Sequence, residues 1–135
     1  MKAYQRASTF NLPLPYQAPT GVHASRPDPS PGFLLSQIDL PNELIRIAFQ
    51  SFPSHIDLLF RIDAAVVTST TTSTNPPYLY AIALYPSSSA SANIYPEIKN
   101  KLGTPTPGTQ YVLKSSYLCP YGLQGLPATQ IVKLE

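Results

Sequence analysis

The segments ELIRIAFQSF, residues 43–52, and IDLLFRID, residues 56–63, determine the fold class. In both, apolar residues recur at every second position: Ile45, Ile47 and Phe49 in the first, and Ile56, Leu58, Phe60 and Ile62 in the second. This period of two is typical of β-strands with one buried face. The short link PSH, residues 53–55, predicts that the two strands pair as an antiparallel hairpin.

The first segment also allows a helical interpretation. Its apolar residues fit a helical stripe that would follow a cap at Asn42, namely Leu44, Ile45, Ala48, Phe49 and Phe52. We prefer the strand interpretation, and the helix stays open as the alternative.

Further apolar runs separated by turn residues indicate more strands. These are FLLSQIDL (33–40), YLYAIALY (78–85), TQYVLKSSYL (109–118) and TQIVKLE (129–135), while AAVVTST (64–70) either continues the second strand or starts another. The run 78–85 has no strongly polar position, which indicates a strand covered on both faces or one at an interface. Six to eight short strands predict an all-β fold, a small antiparallel β-sandwich or jelly-roll-like body. The predicted core is Ile45, Ile47, Ile56, Leu58, Phe60, Ile62, Ile82, Leu84 and Val112.

The N-terminal part of the chain has a different composition. Six prolines lie between Asn11 and Pro31, and each removes a backbone donor and disfavours helix at the preceding residue. We therefore divide the chain into an extended Pro-rich N-terminal arm, residues 1–32, and a β-sandwich domain, residues 33–135.

Composition alone is that of a disordered tail, but apolar side chains are interleaved with the prolines of the arm and suit docking along a groove. The predicted partner-binding residues are Phe10, Leu12, Leu14, Tyr16 and Val22. The arm could wrap its own domain or a neighbouring subunit. We favour the neighbour, because the arm is longer than a small domain needs to cover itself.

Charge is scarce. The 135 residues suffice for one domain, only 12% of them are charged, and the formal net charge is +2. A weakly charged surface favours a protein that works in contact with others. The excess positive charge lies in the arm, on Lys2, Arg6 and Arg26 against Asp28, and three dispersed cations do not form a nucleic-acid footprint.

The residues that could support catalysis are few. Cys119 is the single cysteine, predicted to be a small buried apolar group, and the two histidines are His23 and His55. The run SHID places Ser54, His55 and Asp57 together, but the members of a triad meet through the fold rather than through adjacency. No nucleophile elbow, phosphate loop or metalloprotease motif is present. We expect no enzymatic activity, no cofactor and no metal.

Tyrosine and threonine offer a second line of interpretation. The run TSTTTST, residues 68–74, is predicted to be a loop, with a polar strand edge or a hydroxyl-rich ligand face as alternatives. Tyrosines beside prolines, at positions 16, 78, 85, 95 and 121, could stack on sugar rings or pack at strand ends and subunit contacts. Asn93 and Gln124 are the amides nearest to them in sequence.

A long arm, a small β body, low charge and no export signal together resemble the small structural proteins of virus particles. Among these are the auxiliary capsid or decoration proteins of tailed phages and minor jelly-roll capsid components. The resemblance is architectural, so no functional residues are transferred. It implies a non-enzymatic protein of the virion, made in the host cytoplasm, whose partners are a major capsid protein or copies of itself. The alternative is a ligand-recognition module, such as a carbohydrate-binding β-sandwich or a tail-fibre component.

Overall fold

The computed structural model describes residues 27–52, 57–69, 71–72, 74, 76–119 and 123–134. Within these residues it contains one α-helix, α1 (Tyr95–Leu102), and two 3-10 turns, Leu40–Asn42 and Ser87–Ser89. It also contains seven strands: β1 (Phe33–Asp39), β2 (Leu44–Phe49), β3 (Leu59–Val66), β4 (Tyr80–Pro86), β5 (Ser91–Asn93), β6 (Gln110–Leu118) and β7 (Ala128–Lys133). The mostly-β prediction is confirmed. Residues 1–26 of the predicted arm lie outside the described residues.

The strands form two antiparallel sheets packed as a sandwich. One sheet has the order β1-β2-β5 and the other the order β4-β3-β6-β7. The strand interpretation of residues 44–49 is therefore confirmed, and the helical alternative is wrong. The predicted hairpin is also wrong, because β2 pairs with β1 and β5, whereas β3 pairs with β4 and β6.

The physical reason for this error is that alternation shows which side chains face inward but not which strand lies alongside. The inward residues of β2 and β3 face one another from opposite sheets, and the rings of Phe49 and Phe60 stack between them. Tyr117 of β6 also donates a hydrogen bond from its hydroxyl to the carbonyl oxygen of Gln50, just after β2. Phe49 and Leu59 thus lie in different sheets.

The buried core consists of residues from both sheets and from the helix. Six of the predicted members are buried: Ile45, Ile47, Leu58, Phe60, Ile62 and Ile82. Ile56 lies outside the described residues. Tyr111, Leu113 and Tyr117 of β6 are buried as well, as are Ile94, Tyr95 and Ile98 around the start of α1.

Two predicted core residues lie elsewhere. Leu84 is 54% exposed, because the pairing of β3 with β4 shifts register between Ile62 and Asp63. Ile62 is opposite Ala83 while Asp63 is opposite Ala81, so Ile82 is an extra residue in a β-bulge. Ile82 and Ala83 both pack on the core, and Leu84 then points outward.

Val112 is the second correction. It is only half-buried, because β6 directs its odd-numbered residues Tyr111 and Leu113 into the sandwich. Val112 is paired with Ala65 on one side and with exposed Ile131 on the other, across the outer face of the four-stranded sheet. A run of three apolar residues, YVL, carries no alternation that would distinguish the two faces.

The strand β1 contains a comparable irregularity. Its register against β2 shifts between Leu35 and Gln37, and the hydroxyl of Ser36 donates to the carbonyl oxygen of Arg46. The bulge lets both Leu35 and Ile38 pack on the core although their positions differ in parity. Apolar residues at both odd and even positions of FLLSQID therefore face the core.

The helix α1 was not predicted from the sequence. Its signals are local: Pro96 in the first turn, acidic Glu97 beside it, Lys99 and Lys101 in the last turn, and Gly103 after the end. These residues follow the preferences of helix termini and the helix dipole. The helix buries Ile98 and contacts β2, β3 and β4.

Candidate functional site

The five predicted partner-binding residues, Phe10, Leu12, Leu14, Tyr16 and Val22, all lie outside the described residues. The end of the predicted arm, residues 27–32, is described and is bonded to the β body. The amide of Ser30 donates to the carbonyl oxygen of Leu126 at 3.0 Å, and the hydroxyls of Ser30 and Ser115 are 3.0 Å apart. Residues 27–32 therefore have a fixed position on the domain.

Two glycines allow this attachment. A Cβ atom on Gly125 would lie 2.7 Å from the carbonyl oxygen of Asp28 and 2.9 Å from that of Pro27, so only glycine permits this approach. Gly32, with φ of +89°, lies against the side-chain amide of Gln130. That amide accepts from the backbone N–H of Phe33 and donates to its carbonyl oxygen, both at 2.9 Å. The root of the arm is thus held along the β7 side of the four-stranded sheet.

A cleft of about 360 Å³ lies at the other side of this sheet, where β3 ends and β4 begins. We call it the tyrosine cleft. Its lining is apolar and hydroxylic: Ala65, Val66, Thr68, Thr71, Pro76, Pro77, Tyr78, Tyr80 and Leu102. No lining residue carries a charge. Thr68 to Tyr80 are close in sequence, and the fold adds Leu102 at the end of α1 to them.

The tyrosine cleft presents aromatic rings to solvent. Tyr78 is 76% exposed and Tyr80 is about half exposed, and their rings meet edge to face with centroids 4.9 Å apart. The threonine side of the cleft is shaped by a turn in which Thr71 N–H donates to the carbonyl oxygen of Thr68 and Thr68 N–H donates to Thr71 Oγ1, both at 3.1 Å. The loop prediction for residues 68–74 is confirmed for its described members.

The stretch of chain that contributes most of the cleft also lacks charged residues. From Ala64 to Pro96 the sequence contains no acidic or basic residue, and this stretch includes the whole of β4. Exposed edge strands of soluble proteins are usually protected by charges or prolines. In β4 the described protection is Pro86 at its end and the neighbouring helix α1. Tyr80 and Leu84 remain exposed along the strand.

A second groove, of about 420 Å³, lies on the outer side of β4. It is lined by Arg61, Ala81, Ile82, Ala83, Leu84, Lys101 and Leu118. The guanidinium of Arg61 donates through Nε and Nη2 to Oδ1 of buried Asp63, at 3.2 and 3.0 Å. This pair compensates the buried carboxylate and fixes the guanidinium at one end of the groove.

Three phenols have a raised pKa, and of these Tyr111 and Tyr117 are buried while Tyr85 is partly buried. Burial raises the pKa of Tyr117 to about 12, because the phenolate would lose its hydration. Burial raises the pKa of Tyr85, and the charge and hydrogen bond of Glu97 raise it further, with Tyr85 Oη donating to Glu97 Oε2 at 3.5 Å. Burial, and then Tyr95, raise the pKa of Tyr111. All three groups are neutral near pH 7 and act as structural residues.

The amides considered for sugar recognition are engaged within the fold. The Asn93 side chain accepts from the N–H groups of Ile45 and Tyr95, at 2.9 and 3.1 Å, and donates to the carbonyl oxygen of Glu43 at 3.0 Å. Gln124 donates to the hydroxyl of Ser116 at 2.7 Å. Asn93 therefore joins β2 to the start of α1 instead of facing a ligand.

The remaining predicted groups lie apart from the cleft. Cys119 is buried, which confirms its interpretation as a small apolar core group. In the SHID run, Ser54 and His55 are outside the described residues and Asp57 is exposed. The described part of the chain contains no cluster of three or more metal-ligating side chains. None of its helices has the length and apolar character that a membrane crossing requires.

Neither a protein-family model nor a curated protein sequence matches this chain.

Proposed function

We propose that this protein is a non-enzymatic structural component of a viral particle, in particular of a phage, where it stabilises or decorates the capsid. It binds neighbouring subunits, either a major capsid protein or further copies of itself, through its Pro-rich arm and its β body. The observation that supports this function best is the row of exposed tyrosine and leucine side chains on β4 and on the segment that enters it, a stretch that has no charged residue of its own.

The composition of this surface is that of protein interfaces. The centres of such interfaces are depleted in charged residues and enriched in tyrosine. Tyr78, Tyr80 and Leu84 are exposed in succession, with no charge on β4 or between it and β3. Large exposed apolar side chains in a row are unfavourable in water unless a partner covers them.

The arm supplies a second contact. Its root is hydrogen-bonded to the β7 side of the four-stranded sheet, while the exposed surface of β4 lies at the opposite edge. One copy can therefore bind partners at both edges of the same sheet. Several modest contacts of this kind add up through multivalency when many copies occupy a particle.

The experiment is mass spectrometry of viral particles purified from cultures that carry the gene for this protein. We expect the protein at a fixed ratio to the major capsid protein, and its absence from washed particles contradicts the proposal. Particles are then reconstituted with the Leu84→Arg variant and with Leu34→Arg as a matched control. Leu34 is 73% exposed on the other sheet, so only the first variant should reduce incorporation.

A ligand-recognition function, such as carbohydrate binding, remains the second candidate because Tyr78 and Tyr80 present open aromatic rings. Such a site works through stacking on the ring and hydrogen bonds from the threonine hydroxyls beside it. A glycan array probed with the full chain tests this directly. Binding that is lost in Tyr78→Ser and kept in Tyr78→Phe would favour the second candidate over the first.

A further inference from the structure

We propose that the tyrosine cleft is the docking site of this chain's own segment Leu12–Tyr16, with sequence LPLPY. The segment occupies the cleft of the same molecule when the protein is free. This docking site adds to the proposed function the surface that holds the arm. It rests on the proposed function only for the step in which the arm leaves the cleft and binds a neighbouring subunit.

The chemistry of the cleft fits a proline-rich segment. Exposed aromatic rings set at an angle to one another form ridges, and proline-rich peptides dock into aromatic-lined grooves in a polyproline II conformation. Tyr78 and Tyr80 have an interplanar angle of 80°, and Pro76 and Pro77 extend the apolar wall. Such peptides lose little conformational entropy on binding, because the proline ring already restricts the backbone.

The charges of the two partners also match. The cleft lining contains no charged residue, and the sequence from Ala7 to Ser25 contains no Asp, Glu, Lys or Arg. A segment that carried lysine or aspartate would have to bury or displace a charge at this site, which is costly. Leu12 and Leu14 instead provide apolar side chains that alternate with Pro13 and Pro15.

The length of the arm allows the contact within one molecule. Pro27 lies against Gly125, whose N–H donates to the carbonyl oxygen of Tyr117 on β6. Tyr80 is opposite Ala64, which is opposite Leu113 on β6. The two points are thus separated by about 13 Å along the strands and by three strand spacings, about 14 Å, across them, or roughly 20 Å in all.

The connecting chain exceeds this distance. The eleven steps from Pro27 back to Tyr16 would span about 34 Å as polyproline II. The surplus is enough to pass over the curved surface of the sheet and to lay Leu12–Tyr16 along the cleft. Because both partners belong to one chain, the extent of docking does not depend on the protein concentration.

The test is photo-crosslinking of the full-length protein with p-benzoylphenylalanine in place of Leu14. At dilute concentration we expect a product of single-chain mass, with the crosslink mapped to the peptide containing Pro76–Tyr80. The variant Tyr78→Ser should reduce its yield several-fold, Tyr78→Phe should retain it, and Leu34→Ser should not change it. Since Tyr78 and Leu34 are both exposed, neither change should affect folding, which circular dichroism verifies.

Three results would overturn the inference: a crosslink to another part of the domain, products only between chains, or a yield unaffected by Tyr78→Ser. None of these three results decides whether the protein is present in purified particles, which mass spectrometry measures separately. The docking site can therefore fail while the particle function holds, and the reverse.

Discussion

Phe49 and Phe60 stack face to face in the middle of the sandwich, with ring centroids 4.1 Å apart and planes only 4° from parallel. Phe49 belongs to the three-stranded sheet and Phe60 to the four-stranded sheet, so the pair joins the two layers. Tyr117 packs on Phe60 from the same sheet, with centroids 5.2 Å apart. This aromatic group is the central contact between the sheets.

We therefore expect Phe60→Ala to be among the most destabilising single changes. Phe60 is completely buried, and its truncation would remove apolar contacts and leave a cavity, at a cost of about 3–5 kcal/mol. Urea unfolding followed by circular dichroism measures the change in the free energy of unfolding. The control is Ile131→Ala, an exposed apolar site, where the loss should stay within about 0.5 kcal/mol. Equal losses of unfolding free energy in the two variants would contradict the burial of Phe60 in the core.

The β-bulge in β4 makes a paired prediction. Ile82→Ala should cost about 2–4 kcal/mol, because Ile82 is buried, whereas Leu84→Ala should cost less than about 1 kcal/mol. Chemical unfolding of both variants under the same conditions provides the comparison. Strict alternation without a bulge predicts similar losses at both sites. Similar losses would therefore contradict the register shift in the pairing of β3 with β4.

Asn93 is expected to be a structural residue in the connection from β5 to α1. Asn93→Ala would leave the N–H groups of Ile45 and Tyr95 and the carbonyl of Glu43 without their partner, at a cost of about 1–3 kcal/mol. Asn100→Ala, on the exposed face of α1, is the matched control and should have almost no effect. Thermal unfolding distinguishes the two variants. A neutral Asn93→Ala would mean that water replaces all three hydrogen bonds.

Stability should fall at alkaline pH because of Tyr117. Its pKa is about 12 in the folded protein and 10 as the usual value, so the unfolded chain loses the phenolic proton first. The contribution is fully present below pH 10 and is lost as the pH rises through 12. For one group it amounts to roughly 2–3 kcal/mol.

Unfolding in urea at a series of pH values, with absorbance of the phenolate as a second signal, measures this effect. The Tyr117→Phe variant should be less stable near pH 7, because its hydrogen bond to Gln50 is lost, but its alkaline decline should be shallower. Tyr85→Phe should also flatten the decline, since the pKa of Tyr85 is raised too. A decline that is as steep in both variants as in the unmodified protein would assign the loss of stability to other groups.

Gly125→Ala should detach the root of the arm. The added methyl group would collide with the backbone carbonyls of Pro27 and Asp28, which cannot yield as a flexible side chain would. We expect hydrogen exchange at the Ser30 amide to accelerate by roughly tenfold, equivalent to about 1.4 kcal/mol of local stability.

Gly103→Ala is the control for this prediction. Its Cβ would meet no atom within 4 Å, but its φ of +94° makes the substitution strained, so it should lower the stability of the whole domain. Ser30 should then exchange no faster than the rest of the fold. Selective loss of protection at Ser30 in both variants would argue against the close approach at Gly125.

The tyrosine cleft shows how much of the candidate site could be expected from the sequence. In the sequence, Tyr78 could be identified as a tyrosine beside a proline, and residues 68–74 as a hydroxyl-rich run. Each of the two was a possible contact region on its own. Tyr78 follows the threonine run by four residues, so their proximity is local, whereas the approach of Val66 to Tyr80 depends on the pairing of β3 with β4. Linear spacing carries no information on that pairing.

The sequence by itself determined the fold class, because period-two alternation and proline placement are local constraints on the backbone. Ile45, Ile47, Phe60 and Ile62 could be assigned to the core on this basis alone. Only the tertiary structure decided that β2 and β3 lie in opposite sheets, and that the bulges at Ser36 and Ile82 redirect their strands. The physical reason is that a side chain's facing direction is set within its own strand, whereas strand partners and bulges result from the packing of residues distant in sequence.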